Sequence, residues 1–318
     1  MSLHARAALR VLVVATSVFG TVPAHAQEKY PGRLVRIVTA APGSNHDWGA
    51  RLTAQELTPR IGQRVIVENR GSIAVEHVAK DAPADGYTVL FYGAYAWLQP
   101  LLQKVRWDPL TDLAPVTLAM SSPNVLAVHP SLPVKSVKQL IALAKAKPGE
   151  LNYSAGGGGS TPHVAAELFK YMADLRIERV RYKGSGPSMI GLMVGEAHLM
   201  FAALGPVLPL IQQGKVRAIA VSTPKRTPLM PELPPVAETL PGFTAEATIG
   251  FFVPRNTPAA VIAFLNREIV QALKAVDPKR LTAAGIEIVA GSPEEFATFI
   301  KSEMERMGKV FRSASFSS

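Results

Sequence analysis

The chain predicts an α/β protein of two lobes, each a helix-covered mixed sheet, joined by two crossing strands. Short apolar runs alternate with amphipathic stretches along most of the sequence, the pattern of sheets covered by helices. Two longer extended segments, 113–129 and 243–254, break that rhythm where a chain would leave one lobe and later return to it.

The elements follow in order. Leu34–Thr39, Arg64–Glu68 and Thr88–Tyr92 read as short buried strands, with a helix over Trp48–Arg60. Pro109, Pro115 and Pro130 punctuate the first extended segment. Strands over Asn152–Ser154, Arg179–Tyr182, Leu199–Ala202 and Val216–Ser222 then alternate with helices over Val137–Lys147, Thr161–Met172, Ser188–Gly195 and Val207–Gln213. Gly149, Gly195 and Gly214 follow helix ends as stop signals. Pro254 and Pro258 close the second extended segment, and helices over Ala259–Ala275 and Pro293–Phe311 finish the chain. The first lobe is therefore expected to hold residues 27–124 and 248–318, and the second residues 125–247.

Residues 1–26 read as a cleavable secretory leader. Arg6 and Arg10 precede the apolar run Val11–Val22, and Ala24-His25-Ala26 supplies a small-x-small cleavage site before Gln27. A membrane anchor is the rival reading, but the run is well short of the roughly 20 residues that a span needs. The chain has no cysteine, which excludes disulfides and thiolate metal sites and leaves stability to the core. Without Arg6 and Arg10, 32 basic residues face 24 acidic ones, a net charge of +8. These charges are scattered; short groups such as Arg176–Arg181 and Lys225-Arg226 read as solvated faces, not as a nucleic-acid surface. The excess still favours acidic small molecules.

Enzyme signatures are missing. The chain has no G-x-S-x-G, no G-x-x-x-x-G-K-[ST] and no H-E-x-x-H, and His46, His77, His129, His163 and His198 lack metal-ligand spacing. The chemistry that stands out is Leu151–His163, in which a short strand passes through Gly156 and three further glycines into Ser160-Thr161-Pro162. Glycines let backbone approach a ligand, and the N–H groups opening a helix attract anions. A plain glycine-tolerant surface loop is the competing reading. Two similar junctions follow the first and third strands, at Ala41–Asp47 and Tyr92–Trp97, and ligands of open α/β sheets sit at such strand ends.

At these residues the chain resembles the substrate-binding proteins of tripartite tricarboxylate transporters, the TctC or Bug-type family of periplasmic solute receptors. The similarity runs through Tyr30-Pro31, Ala41-Pro42-Gly43 with Asp47, Val67-Glu68-Asn69-Arg70, Asp85-Gly86-Tyr87-Thr88 and Trp107-Asp108-Pro109. It continues through Ala114-Pro115-Val116, Asn152–Gly156, His163, Tyr182–Ser185, Pro241-Gly242-Phe243 and Pro293–Phe296. The resemblance implies a type II periplasmic-binding fold closing on a small carboxylate held by loop backbone and water. It also implies membrane transporter subunits as partners, a monomer, and neither catalysis nor a cofactor or metal. A sensor that presents its solute to a membrane signalling protein, or a secreted lobed enzyme, are the alternatives. Four places depart from the family pattern: Ser44-Asn45-His46 in place of glycines, the shortened Gly71-Ser72-Ile73, the altered Tyr92–Trp97, and Ala202-Ala203 where many members carry aspartate.

The expected ligand-binding backbone is that of Pro42, Gly43, Ser44, Asn45, Gly93, Ala94, Ser154, Ala155, Gly156 and Ser160. Asp47 either caps the first helix or contacts ligand. Tyr92 with its neighbouring rings either packs the core or walls the pocket. His163 is an anion donor or a packing residue, and Lys183 a carboxylate partner or a solvated lysine. Ala202 and Ala203 favour a ligand without an ammonium group, because methyl groups leave such a charge unpaired.

Overall fold

The computed structural model describes residues 30–42, 44–156 and 160–312. The expected leader, Gly43 and the three glycines after Gly156 lie outside them.

Eleven strands form two mixed sheets among the described residues. In chain order they are β1 (Val35–Thr39), β2 (Val65–Asn69), β3 (Thr88–Gly93), β4 (Leu113–Ser122), β5 (Asn124–Val128), β6 (Asn152–Ala155), β7 (Glu178–Arg181), β8 (Leu199–Ala203), β9 (Arg217–Val221), β10 (Ala247–Pro254) and β11 (Glu287–Ile288). One sheet runs β11-β4-β10-β3-β1-β2 and the other β7-β6-β8-β5-β9. β1 pairs in parallel with β2 and β3, and β10 lies antiparallel between β3 and β4. β6 pairs in parallel with β7 and β8, whereas β5 runs antiparallel to β8 and β9.

Local sequence explains the edges of each unit. Val35, Ile37 and Val38 are all buried, as a central strand covered on both faces requires. The next helix, Asn45–Ile61, starts where the Ser44 hydroxyl accepts the Asp47 N–H and stops at Gly62, whose φ of 67° suits glycine. Its Ala50, Leu52 and Leu57 share an apolar core with Leu265, Ile269 and Leu273 of the helix Ala259–Lys274. The closing helix Pro293–Arg312 sets Phe296 edge-on to Trp97, with ring centroids 5.9 Å apart.

The crossing occurs at Pro123 and at residues 245–247. β4 ends in the first sheet and β5 begins in the second with only Pro123 between them, so the extended segment 113–129 is two strands. Pro123 cannot donate to a ladder, which makes it a natural break. On the return, Ala245 N–H donates to Ser222 O before β10 begins. The Asn124 side-chain amide donates to Ala245 O at 2.6 Å and fastens the two crossings to each other.

The structure also corrects the run Tyr92–Trp97, expected as a loop. Tyr92 and Gly93 belong to β3, and a helix spans Tyr95–Leu102. Helical turns over residues 71–81, the helix Pro278–Ala284 and short β11 were not legible from periodicity. No described helix is long and apolar enough to cross a membrane.

Beneath β6, the carboxylate of buried Glu167 accepts from Tyr153 OH at 2.5 Å and from Lys170 Nζ at 2.8 Å. Removing the cation strands a carboxylate that is only 2 % exposed. Lys170→Met is therefore expected to lower unfolding free energy by about 3–5 kcal/mol, measured by urea titration. A loss under about 1 kcal/mol would contradict this account of the pair.

Candidate functional site

A cavity of about 530 Å³ opens between the two sheets, with the crossing strands as its floor. Ser44, Asn45 and His46 line it from the junction after β1, and Tyr92, Gly93, Ala94 and Tyr95 from the junction after β3. The second sheet contributes Ser160 and Thr161 after β6, Ser185 after β7, Ala203 at the end of β8 and Pro206 beyond it. Met120, Ser121, Ser122, Asn124 and Thr248 come from the crossing strands and the residues flanking them.

Each junction turns from a strand end into a helix. Helices begin at Asn45, Tyr95, Thr161, Ser185 and Leu204, so five helix N-termini border one cavity. First-turn N–H groups have no intrahelical acceptor, and each helix start carries a partial positive charge. No Asp, Glu, Lys or Arg occurs among the described lining residues. The wall thus favours an anion through backbone dipoles, without a formal countercharge.

Polar groups without partners mark the same surface. Ser160 Oγ, Asn124 Oδ1 and His46 Nε2 are buried with no hydrogen-bond partner. Because Asn124 Nδ2 faces a carbonyl, its Oδ1 can only accept. The His46 ring lies 5.0 Å from that of Tyr92, and burial lowers its pKa to about 4. The Tyr92 hydroxyl donates to Gly71 O at 3.1 Å; burial first, then Tyr95, pushes its pKa up to about 12. Gly93 allows the close fit, since a Cβ there would stand 2.9 Å from both His46 Nε2 and Thr248 O.

Of the residues expected from sequence, Ser44, Asn45, Tyr92, Gly93, Ala94, Ser160 and Ala203 line this cavity. Gly43 lies outside the described residues, and Pro42 is exposed beside the wall. Asp47 is buried, and its Oδ1 is engaged by Asn69 at 2.9 Å and by Arg51 at 2.9 Å. The helix cap is the Ser44 hydroxyl instead. Ser154 and Ala155 are buried within β6, one step behind the wall. Gly156 turns its carbonyl to Arg179 at 2.6 Å, and a Cβ there would come 2.8 Å from Gly184 C.

His163 is buried between Arg179, 3.2 Å from its Nε2, and the Tyr153 ring stacked 6.5 Å away. Lys183 is exposed and off the wall. Ala202 points into the apolar core with Val125 and Met200, because strand alternation sends only its neighbour Ala203 to the cavity side. Tyr95, one of the rings neighbouring Tyr92, also lines the wall, whereas His46, Thr161, Ser185 and the polar groups of the crossing strands were not singled out as ligand contacts from sequence. For the crossing strands, the hydroxyls of Ser121, Ser122 and Thr248 within extended apolar segments were the only visible signal.

Two imidazoles, the half-buried His46 and the buried His163, give the fold a pH dependence. Burial lowers His46 to about 4, and burial followed by the Arg179 charge lowers His163 to about 3. An unfolded imidazole titrates near about 6.5, so below that pH the unfolded chain binds more protons and stability falls with pH. The melting temperature is expected to be level above about pH 7 and to drop between about pH 6.5 and 5. An unchanged melting temperature across that window in circular dichroism would contradict these environments.

Comparison with known proteins agrees with this architecture. The family described as "Tripartite tricarboxylate transporter family receptor", TctC, matches residues 50–315. Protein BugT of Bordetella pertussis is 34% identical over 315 residues, covering 96% of each chain. The structure of R. palustris Rpa4515 with adipate is 36% identical, with a TM-score of 0.75 over 89% of this chain and 97% of that one. MatC (Rpa3494) from Rhodopseudomonas palustris with bound malate is 28% identical, with a TM-score of 0.73 over 88% of this chain and 99% of that one. Two lobes, a cavity walled by helix starts, and a family match over most of the sequence make the chain a member of the TctC family of periplasmic solute receptors, which are binding proteins and not enzymes.

Proposed function

We propose that the cavity captures one small carboxylate lacking an ammonium group and that the loaded protein delivers it to membrane subunits of a tripartite tricarboxylate-type transporter. The observation that carries this reading is the convergence of five helix N-termini on a cavity with no Asp, Glu, Lys or Arg among its described lining residues. Adipate and malate in two similar proteins support the ligand class. In this reading residues 1–26 are removed on export, the product is a periplasmic monomer, and residues 27–124 with 248–318 close against residues 125–247 about the crossings at Pro123 and Ala245. Ligand contacts are assigned to Ser44, Asn45, Gly93, Ala94, Ser160 and Ala203. Charge-assisted bonds from backbone N–H groups contribute about 1.5–3 kcal/mol each, enough in sum for micromolar affinity.

A thermal-shift screen of dicarboxylates, tricarboxylates, aromatic acids and amino acids tests the proposal. Ligand at about a hundred times its Kd adds about 2.7 kcal/mol of stability. Succinate should outperform aspartate, because a buried ammonium meets no lining carboxylate. No shift with any acid, using protein refolded to remove carried-over ligand, overturns the receptor reading. A stronger shift with aspartate overturns only the preference against ammonium.

A further inference from the structure

His46 stands apart from the rest of the wall. Among the described lining residues it is the one side chain able to gain positive charge near neutral pH. Its Nε2 is buried without a hydrogen-bond partner, and the ring is held in place by Tyr92 beside it and by the bare Cα of Gly93 beneath it. We propose that His46 takes up a proton from solvent when a carboxylate enters the cavity, so that the bound state contains an imidazolium facing the anion. This inference rests on the carboxylate reading above.

The surroundings favour the proton only when an anion is present. From β3, His46 faces the neutral phenol of Tyr92, with Tyr95 next to it at the helix start. From β10 comes the Thr248 carbonyl, and from β4 the uncharged Met120 and Ser121. On its own helix, the Asp47 carboxylate is engaged by Arg51 and Asn69. The opposite wall offers Ser160, Thr161, Ser185 and Ala203, none of which titrates near neutrality. Nothing there offsets the desolvation that holds the free imidazole neutral, at a pKa of about 4. An anion within about 4–6 Å favours the charged form and shifts an imidazole up by about 1–3 units.

The sign follows from linkage. Between the free value and the raised bound value the complex carries more protons than its separated parts, so affinity rises as pH falls. One proton limits the gain to about tenfold per pH unit. Binding then selects acids that place a full negative charge beside His46, which a neutral amide analogue cannot do.

Calorimetry tests this on the whole mature chain. The probe is whichever of succinate, adipate, malate and citrate gives the largest melting shift, titrated at about pH 6 in buffers of low and high ionisation enthalpy. The expected result is net proton uptake, with affinity rising from about pH 7.5 to 6 by up to about eightfold, the value for a shift at the top of that range. In His46→Gln, and independently in His46→Asn, uptake should vanish and the pH profile flatten while melting confirms a folded chain. Tight binding without uptake, or equal uptake in both variants, overturns this inference and leaves the receptor reading standing. Failure of all four acids to bind overturns both.

Discussion

Gly93→Val should reduce carboxylate affinity at least about a hundredfold, a loss of about 2.7 kcal/mol in binding. Even the first carbon of the new side chain would lie 2.9 Å from Thr248 O, which is backbone, and 2.9 Å from His46 Nε2. β3 and β10 are paired at Gly93 and Ile249, so the sheet cannot separate there without losing ladder bonds. The remaining way to relieve the clash is to move His46 and the Thr248 carbonyl into the cavity that both border. Overpacking of this kind also costs about 1–3 kcal/mol of stability, which the fold should tolerate. Titration calorimetry on a variant with a cooperative melt is the check. Affinity within threefold of the parent would show that the strand end at Gly93 is not part of the site.

The second large effect is expected at Gly205→Val, away from the pocket lining. Gly205 opens the helix Leu204–Gln212 beside the second sheet, and it abuts the end of Pro278–Ala284, which belongs with the first. A Cβ at Gly205 would lie 2.8 Å from Ala284 O, while Gly285, at a φ of 66°, has its own ideal Cβ 2.9 Å from Gly205 N. The atoms that a Cβ at Gly205 would meet are all backbone, with no side chain to yield. Ser122 Oγ donates to Gly285 O at 2.7 Å in the same corner, next to the crossing. A β-branched residue should wedge the lobes apart, lower ligand affinity at least about tenfold, or about 1.4 kcal/mol, and leave each lobe folded. Small-angle scattering should find a larger radius of gyration in the presence of ligand than for the parent. An unchanged radius with unchanged affinity would contradict a functional contact between the lobes at this corner.

The central strands were readable because burial on both faces leaves continuous apolar runs, as in Thr88–Gly93. Helix boundaries shifted by a residue or a turn; the helix at 185 began three residues earlier than periodicity suggested, since Ser185-Gly186-Pro187 looks like a loop. Tyr95–Leu102 escaped notice because it is short and contains Pro100. Junction residues such as Asn45, Ala94 and Ser160 could be inferred, as strand carboxyl ends point to ligand regardless of tertiary detail. Placement finer than that was hidden. Ala202 and Ala203 differ only in strand parity, Ser121 and Thr248 reach the cavity through pairing of strands more than a hundred residues apart, and Asn124 is set there by its side-chain bond to Ala245. His46 looked like part of an altered loop; its importance depends on Gly93 lying beneath it, which no local pattern reveals.

A crystal structure of residues 27–318 with the best carboxylate from the screen tests the central claim most directly. The account predicts ligand carboxylate oxygens about 2.7–3.2 Å from first-turn backbone N–H groups on both sides of the cavity, at Asn45 or His46 from one lobe and Thr161 or Ser185 from the other. A ligand held by arginine or lysine side chains, or by one lobe alone, would contradict it.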